Sequence, residues 1–367
     1  MLTHEAPSAS EVRRQLPPNC HSRSTMVGCI LLLVTISAWL GLTAGVAAVH
    51  PWWLKFPIGL AAGVVSSLCF VVGHDACHGS LTRQAWLNKA IGRIAFLPNL
   101  HPFASWEHSH NGLHHGWPNV RGRDVVYVPF SKEEYDRLPW WRRRAERIFR
   151  TPFGPGLFYF FTVWIPQEMF PTAQHFPTGS RRHAFEWDRR VVLAFLAVWC
   201  LGLIALAQRW HTDIAITLLC GVLANFAMFN VMMGVVSFLH HTYPDVPWYD
   251  GPAEHDFYRS QIRSTVHLKL PRIAEIFLHD ILQHTAHHAD PRIPLYHLAE
   301  SQACLEREFG ADIVAEPWSW RGYLRVFRIC RLFDYNEHRW VDYDGTPLTN
   351  SLLSVANLVR EHAAGLP

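Results

Sequence analysis

The chain reads as an all-α integral membrane protein, with four transmembrane helices in two hairpins and a helical cytosolic cap. Three observations predict this: four long uncharged apolar runs, two short turns that join them in pairs, and a one-sided distribution of Lys and Arg. The runs are Val27 to Val49, Phe56 to Gly73, Val191 to Gln208 and Ile214 to Leu239. A hydrocarbon core takes about 20 apolar residues per helix, so each run can span it, the shorter ones with help from their flanks. A mean hydropathy of +0.02 conceals this segregation. His50 to Lys55 and Gln208 to Asp213 are long enough only for tight turns, and Trp52, Trp53 and Trp210 there suit a membrane interface.

Of the 33 Lys and Arg, all but Lys55 and Arg209 lie in the N-terminal tail, in 74–190 or after residue 239. Positive residues are retained on the cytoplasmic side, so both termini are expected in the cytosol. The layout is a tail over 1–26, a membrane domain over 27–345 and a second tail over 346–367. Gly154 to Gln167 is uncharged but only 14 residues long and carries Pro155 and Pro166, which suits an interfacial or re-entrant segment. Ile94 to Leu100 is shorter and is expected along the bilayer surface too. Arg142 to Arg144 with Arg147 reads as a solvated or headgroup-facing basic patch. A nucleic-acid partner is excluded beside four spans. The eight cysteines show no CxxC and no disulfide framework; Cys77 is assigned to packing.

Eight of the 24 histidines fall into three groups: His74 and His78 in HDACH, His110, His114 and His115 in HNGLHH, and His284, His287 and His288 in HTAHH. Neutral imidazole is the commonest transition-metal ligand, and residues three or four apart share a helix face. The predicted topology puts all three groups on the cytosolic side. Eight imidazoles exceed the shell of one ion, so two metals are implied. A donor set poor in carboxylate suits Fe, Cu, Zn or Ni better than Mg or Ca. The Glu and Glu-x-x-His pattern of soluble di-iron bundles is absent. Neutral ligands leave the metal charge uncompensated, which favours a strongly oxidising centre.

At these residues the chain resembles the membrane-bound fatty acid desaturases of the histidine-box type, within them the acyl-lipid delta-12 or omega-6 branch. The resemblance runs from about Val72 to Gly345 and rests on GHDACHGS, HPFASWEHSHNGLHHGWPNVRGRD, FLHHTYPDVPWYD, LHDILQHTAHHADPRIPLYHLAESQ and RLFDYNEHRWVDYDG. Box two reads HxxxHH instead of the commoner HxxHH, which leaves the partition of His110, His114 and His115 between two metals open. The resemblance implies a di-iron centre, dioxygen and two electrons consumed per double bond, and a lipid acyl substrate. It also implies a ninth ligand at the end of the fourth span; His241 is preferred there to His240. Asp75, Glu107 and Asp280 are placed to accept the free N–H of a ligand ring, and His101, His108 and His279 are further candidates near the site. His50, His175, His183, His211, His255, His267, His297 and His338 are assigned to surface, interface or packing.

No haem motif, dinucleotide fingerprint or iron–sulfur spacing occurs in the sequence, so electrons are expected from a separate ferredoxin, rubredoxin or cytochrome b5, for which the basic face is a docking surface. The same scaffold could run as a decarboxylase forming a terminal alkene or as a hydroxylase. A hydroxylase or ketolase acting on alkanes, sterols or carotenoids fits box three less well. A metal transporter or zinc hydrolase is the rival from another class, and a transporter would carry more polar residues inside its spans than Asn225 and Asn230.

Overall fold

The computed structural model describes residues 6–172 and 181–353; His175 and the end of the C-terminal tail, 354–367, lie outside the described residues. The N-terminal tail is partly helical. α1, Ala9–Arg14, starts at a capping box in which the Ser8 hydroxyl accepts from Glu11 N–H and the Glu11 carboxylate accepts from Ser8 N–H. α2 spans Thr25–Ala48 and α3 Trp52–Cys77, separated by Val49 to Pro51. α4, Ala85–Phe96, passes through a 3-10 turn, Leu97–Asn99, towards α5, Phe103–Trp106. From Glu107 to His114 the chain is π-helical.

Two short helices follow, α6 at Lys132–Arg137 and α7 at Trp140–Phe149. The uncharged 154–167 stretch forms α8, Gly154–Phe158, which continues as a π-helix over Tyr159–Met169. α9 is Arg181–Arg209, α10 Ile214–Leu218 and α11 Asn225–His241, the last two joined by a π-helical turn. Beyond them lie α12, Arg272–Phe277, α13, His284–Ala289, α14, Leu298–Phe309, and α15, Trp320–Ile329. Strand β1, Val266–Lys269, pairs in parallel with β2, Val314–Pro317; β3, Leu332–Asp334, pairs antiparallel with β4, Arg339–Val341. The fold is therefore mostly helical and not strictly all-α, because these short segments after the apolar runs pair their backbones with each other.

Among the described residues, four helices are long and apolar enough to cross a membrane: Thr25–Ala48, Trp52–Cys77, Arg182–Arg209 and Ile214–His241. Two of them, the second and the third, extend well past the uncharged runs. The third begins nine residues before Val191, since helix propagation does not stop where charge begins. Lys55, expected in a turn, lies in the first turn of α3. It is fully buried, and its Nζ donates to Val46 O at 2.7 Å and Thr217 Oγ1 at 2.8 Å.

The chain divides into two compact units, one of Arg23–Ser109 with Gly156–Gly234, the other of Met1–Ser22, His110–Pro155 and Val235–Pro367. In the first, backbones approach closely at small residues, as packing between apolar helices requires. A Cβ on Gly59 would lie 2.1 Å from Cys220 O. Under box one sits an aromatic cluster of Phe70, Phe96, Phe103, Trp106, Tyr159 and Phe229, with Cys77 packed in it. In the second unit, Tyr135, Leu332 and Val341 form a small core. All eight cysteines are free thiols.

Candidate metal centre

Box two is built on the π-helical turn. An α-helical turn aligns residues three or four apart, whereas the wider π turn hydrogen-bonds i to i+5, and His115 N–H donates to His110 O at 2.9 Å. His110 and His115 therefore share a face, their Nε2 atoms 3.2 Å apart. His287 Nε2 lies 3.0 Å from His115 Nε2. The extra residue that makes box two HxxxHH is the residue that the π turn accommodates.

His114 belongs to a second group with His241, His284 and His288, all four buried, with one nitrogen of each within 4.8 Å of the others. His241 Nε2 is 3.1 Å from His114 Nε2 and 2.9 Å from His284 Nε2. Box three is thus divided by helical phase: His284 and His288, four apart on α13, join one group, and His287 joins the other. The open partition of box two resolves in the same way.

The surrounding hydrogen bonds define which nitrogens carry protons. His114 Nδ1 lies 3.1 Å from Asp124 Oδ1, and His241 Nδ1 lies 3.1 Å from Ser264 O. Both partners only accept, so both Nδ1 atoms donate and both Nε2 atoms are lone pairs. Two lone pairs facing at 3.1 Å repel unless a cation lies between them. Gln261 Nε2 donates to His115 O at 2.9 Å, which leaves its Oε1 to accept from His288 Nδ1, also at 2.9 Å. His288 Nε2 is then a buried lone pair with no hydrogen-bond partner among the described residues. Burial, followed by the neighbouring imidazoles, pushes the His284 and His288 pKa values well below the usual value, so both are neutral and can ligate.

Asp124, Gln261 and Ser264 escaped the sequence reading. Asp124 closes the quoted stretch after box two and could have been considered for its carboxylate; no spacing rule points to the other two. Of the expected orienting carboxylates, Asp75 Oδ1 lies 3.4 Å from His74 Nδ1, both buried. Asp280 is instead engaged by Arg272, with Nη2 to Oδ2 at 3.1 Å. Glu107 is half-buried in the π turn and has no histidine partner among the described residues. Both His101 nitrogens are taken, by Asn99 O at 2.9 Å and Tyr159 OH at 2.7 Å, and burial lowers its pKa to about 3, which marks a structural histidine. His108 packs against Phe185. His279 occupies a left-handed bend with Asp280 and joins neither group. His240 stacks on His284 with ring centroids 3.7 Å apart. In its own unit, box one presents His74 and His78 four apart at the end of α3, ring centroids 4.8 Å apart.

The N-terminal tail also contributes. Val12 of α1 is fully buried, Arg13 Nε donates to Ala289 O at 3.1 Å, and His21 Nε2 lies 2.9 Å from Asp290 Oδ2. Arg292 closes on the same carboxylate at 2.6 Å. The end of box three is therefore held by residues from a tail expected only to be cytosolic.

Residues 51–320 match the family described as Fatty acid desaturase. The chain belongs to the fatty acid desaturase family. Among the relatives of this desaturase-family chain is the sn-1 oleoyl-lipid 12-desaturase of Picosynechococcus sp., 28% identical over 89% of this chain and 90% of the relative. The sn-1 oleoyl-lipid 12-desaturase of Arthrospira platensis is 31% identical over 71% and 69% respectively. The chloroplastic omega-6 fatty acid desaturase of Brassica napus is 28% identical over 80% of this chain, which spans 63% of that longer protein. The chain falls in the acyl-lipid delta-12 desaturase-like branch.

Proposed function

We propose that this protein is an oxygen-dependent desaturase that introduces a double bond into the acyl chain of a membrane lipid at a histidine-ligated di-iron centre. The observation that carries the reading is the convergence of buried imidazoles whose other nitrogens are tied to Asp124, Ser264 and Gln261. Such a donor set fits iron and suits Mg or Ca poorly. One iron would be held by His114, His241, His284 and His288. The other would be held by His110, His115 and His287, with His74 and His78 of box one supplying the nitrogens that three ligands leave wanting. When bound, the metals supply dioxygen activation. The overall change removes one hydrogen from each of two adjacent methylenes and, with dioxygen, two electrons and two protons, yields the alkene and two waters.

The chain's own part is to keep the imidazoles neutral, oriented and out of water. The spans would place the site at the cytosolic membrane surface with both termini in the cytosol, within reach of a ferredoxin, rubredoxin or cytochrome b5 donor. The decisive experiment is a fatty acid and headspace hydrocarbon profile of cells expressing the wild type or His288→Ala, with iron determined on both purified proteins. New unsaturated acyl chains and two Fe per chain, both lost in the variant, are expected. Full activity in the variant refutes the reading, and hydroxy acids or terminal alkenes reassign the oxidation.

A further inference from the structure

A cavity rich in arginine lies within the unit that carries boxes two and three. It has a volume of about 400 Å³ and is lined by Arg147, Arg150, Arg328 and Arg331 together with Thr151, Tyr343 and apolar residues. Four guanidiniums in one cavity exceed the local acid. Arg150 Nε pairs with Glu146 Oε1 at 3.0 Å, and Arg331 Nη1 pairs with Asp342 Oδ1 at 2.5 Å, which leaves Arg147 and Arg328 without an ion pair of their own among the described residues. Arg150 is 4% exposed, and its Nη1 is buried with no hydrogen-bond partner among the described residues. A buried guanidinium N–H without an acceptor is costly. The arginines are also preorganised: Arg147 and Arg331 lie over the Tyr343 ring at 4.4 Å and 5.7 Å, and Arg147 Nε donates to Tyr135 OH at 2.7 Å. Fixed guanidinium forks are the usual protein partner of a phosphate.

The rim of the cavity is apolar and open to the surroundings. On α15, Trp320, Leu324 and Arg328 follow at four-residue intervals along one exposed face, with Trp320 71% exposed. On α7, exposed Trp140 precedes Arg147 by two turns, and Phe153, beside the lining residue Pro152, is 89% exposed. Trp with Arg on a short amphipathic helix is the composition of a segment lying in the headgroup layer. The depth agrees. Phe327 of the cavity wall stacks on Phe238 at 5.1 Å, and Arg150 lies 5.6 Å over the same ring. Phe238 is in the last turn of the fourth candidate span, so the cavity is one side-chain layer from the end of that helix.

We infer that this cavity binds the phosphate headgroup of an anionic membrane lipid. The basic patch read from Arg142 to Arg147 is one edge of a concave site that continues to buried Arg150 and is completed by Arg328 and Arg331 from much later in the chain. The inference rests on the membrane setting and not on the oxidation performed, so it can fail while the desaturase reading stands.

The test uses full-length protein in nanodiscs of phosphatidylcholine containing phosphatidylglycerol, with lipid retention after detergent exchange measured by mass spectrometry. Arg147→Gln/Arg328→Gln should weaken phosphatidylglycerol retention about 30-fold, from about 1 kcal/mol per arginine at the surface and tenfold per 1.4 kcal/mol. Unchanged iron content would show that the fold is intact. Should the double variant not fold, Arg328→Gln alone, at an exposed arginine with no ion-pair partner among the described residues, should cost about fivefold. Arg147→Lys/Arg328→Lys should keep most of the preference for anionic over neutral lipid. Equal retention by wild type and variant overturns the inference. So does a variant with unaltered lipid retention but a raised KM for an acidic electron carrier, since that assigns the arginines to a protein partner. Thermal stabilisation of detergent-purified protein by inorganic phosphate as strong as that by the lipid would reassign the cavity to a soluble anion.

Discussion

Asp124→Asn is the most discriminating single substitution at this centre, because it removes a charge and no volume. The carboxylate accepts four N–H groups: His114 Nδ1 at 3.1 Å, Val125 N at 2.7 Å and Val126 N at 3.2 Å on Oδ1, and Asn119 N at 2.8 Å on Oδ2. An amide has only one accepting oxygen. Turned so that its oxygen keeps the three Oδ1 bonds, its NH₂ opposes Asn119 N–H, which loses one charge-assisted hydrogen bond worth about 1.5–3 kcal/mol. His114 then donates to a neutral carbonyl, its Nε2 is less basic, and metal affinity should fall about 10- to 100-fold. The assay is chelator competition on purified protein, with iron per chain read against chelator concentration beside the wild type and His114→Ala. Expected is a midpoint shifted towards lower chelator by one to two decades, with His114→Ala shifted further. A midpoint equal to that of the wild type together with a lowered Tm would refute the reasoning, since Asp124 would then serve only the 119–126 turn.

Three further outcomes follow from the same geometry. His241→Ala should lose metal outright, whereas His240→Ala, which removes a ring stacked on His284, should lower stability by about 1 kcal/mol and retain metal in a metal analysis. Asp290→Asn should loosen box three by releasing His21 and Arg292, at a cost of about 2 kcal/mol in thermal unfolding, and deleting residues 1–16 should reduce iron content in the same direction. Glu168 is buried, its Oε1 accepts from Ser109 Oγ at 2.7 Å, and burial pushes its pKa up to about 7. A folded-state pKa above the unfolded one means that the folded state holds the extra proton, so stability should fall by about 3 kcal/mol as pH rises from about 4.5 through 7. Glu168→Gln should flatten that slope in pH-dependent melting; an unchanged slope would assign it to other groups.

Much of this molecule was legible in its sequence because the signals are local. Long uncharged runs must become helices to satisfy their backbone in lipid, and those four runs are the four long helices. The boxes pointed to clusters that could hold metal because imidazoles at helical spacing have few other uses, and two such clusters are present. Local pattern misled where neighbours change its meaning: Lys55 looked like a turn residue and is a buried tether between Val46 and Thr217, and Asp280 looked like a histidine's acceptor and is held by Arg272.

What the sequence by itself determined was the family, the four apolar helices and the identity of the histidines, since each is written within a few consecutive residues. Tertiary structure alone decided how those histidines divide between two groups, through a π-helical turn that puts His115 beside His110 and leaves His114 to face His241. It also supplied Asp124 from the loop after box two, and Gln261 and Ser264 from one π-helical turn, and turned the N-terminal tail back onto box three. The physical reason is that the ligand type is a property of a side chain, whereas its protonation and aim are set by whichever distant backbone or side-chain oxygen accepts its other nitrogen.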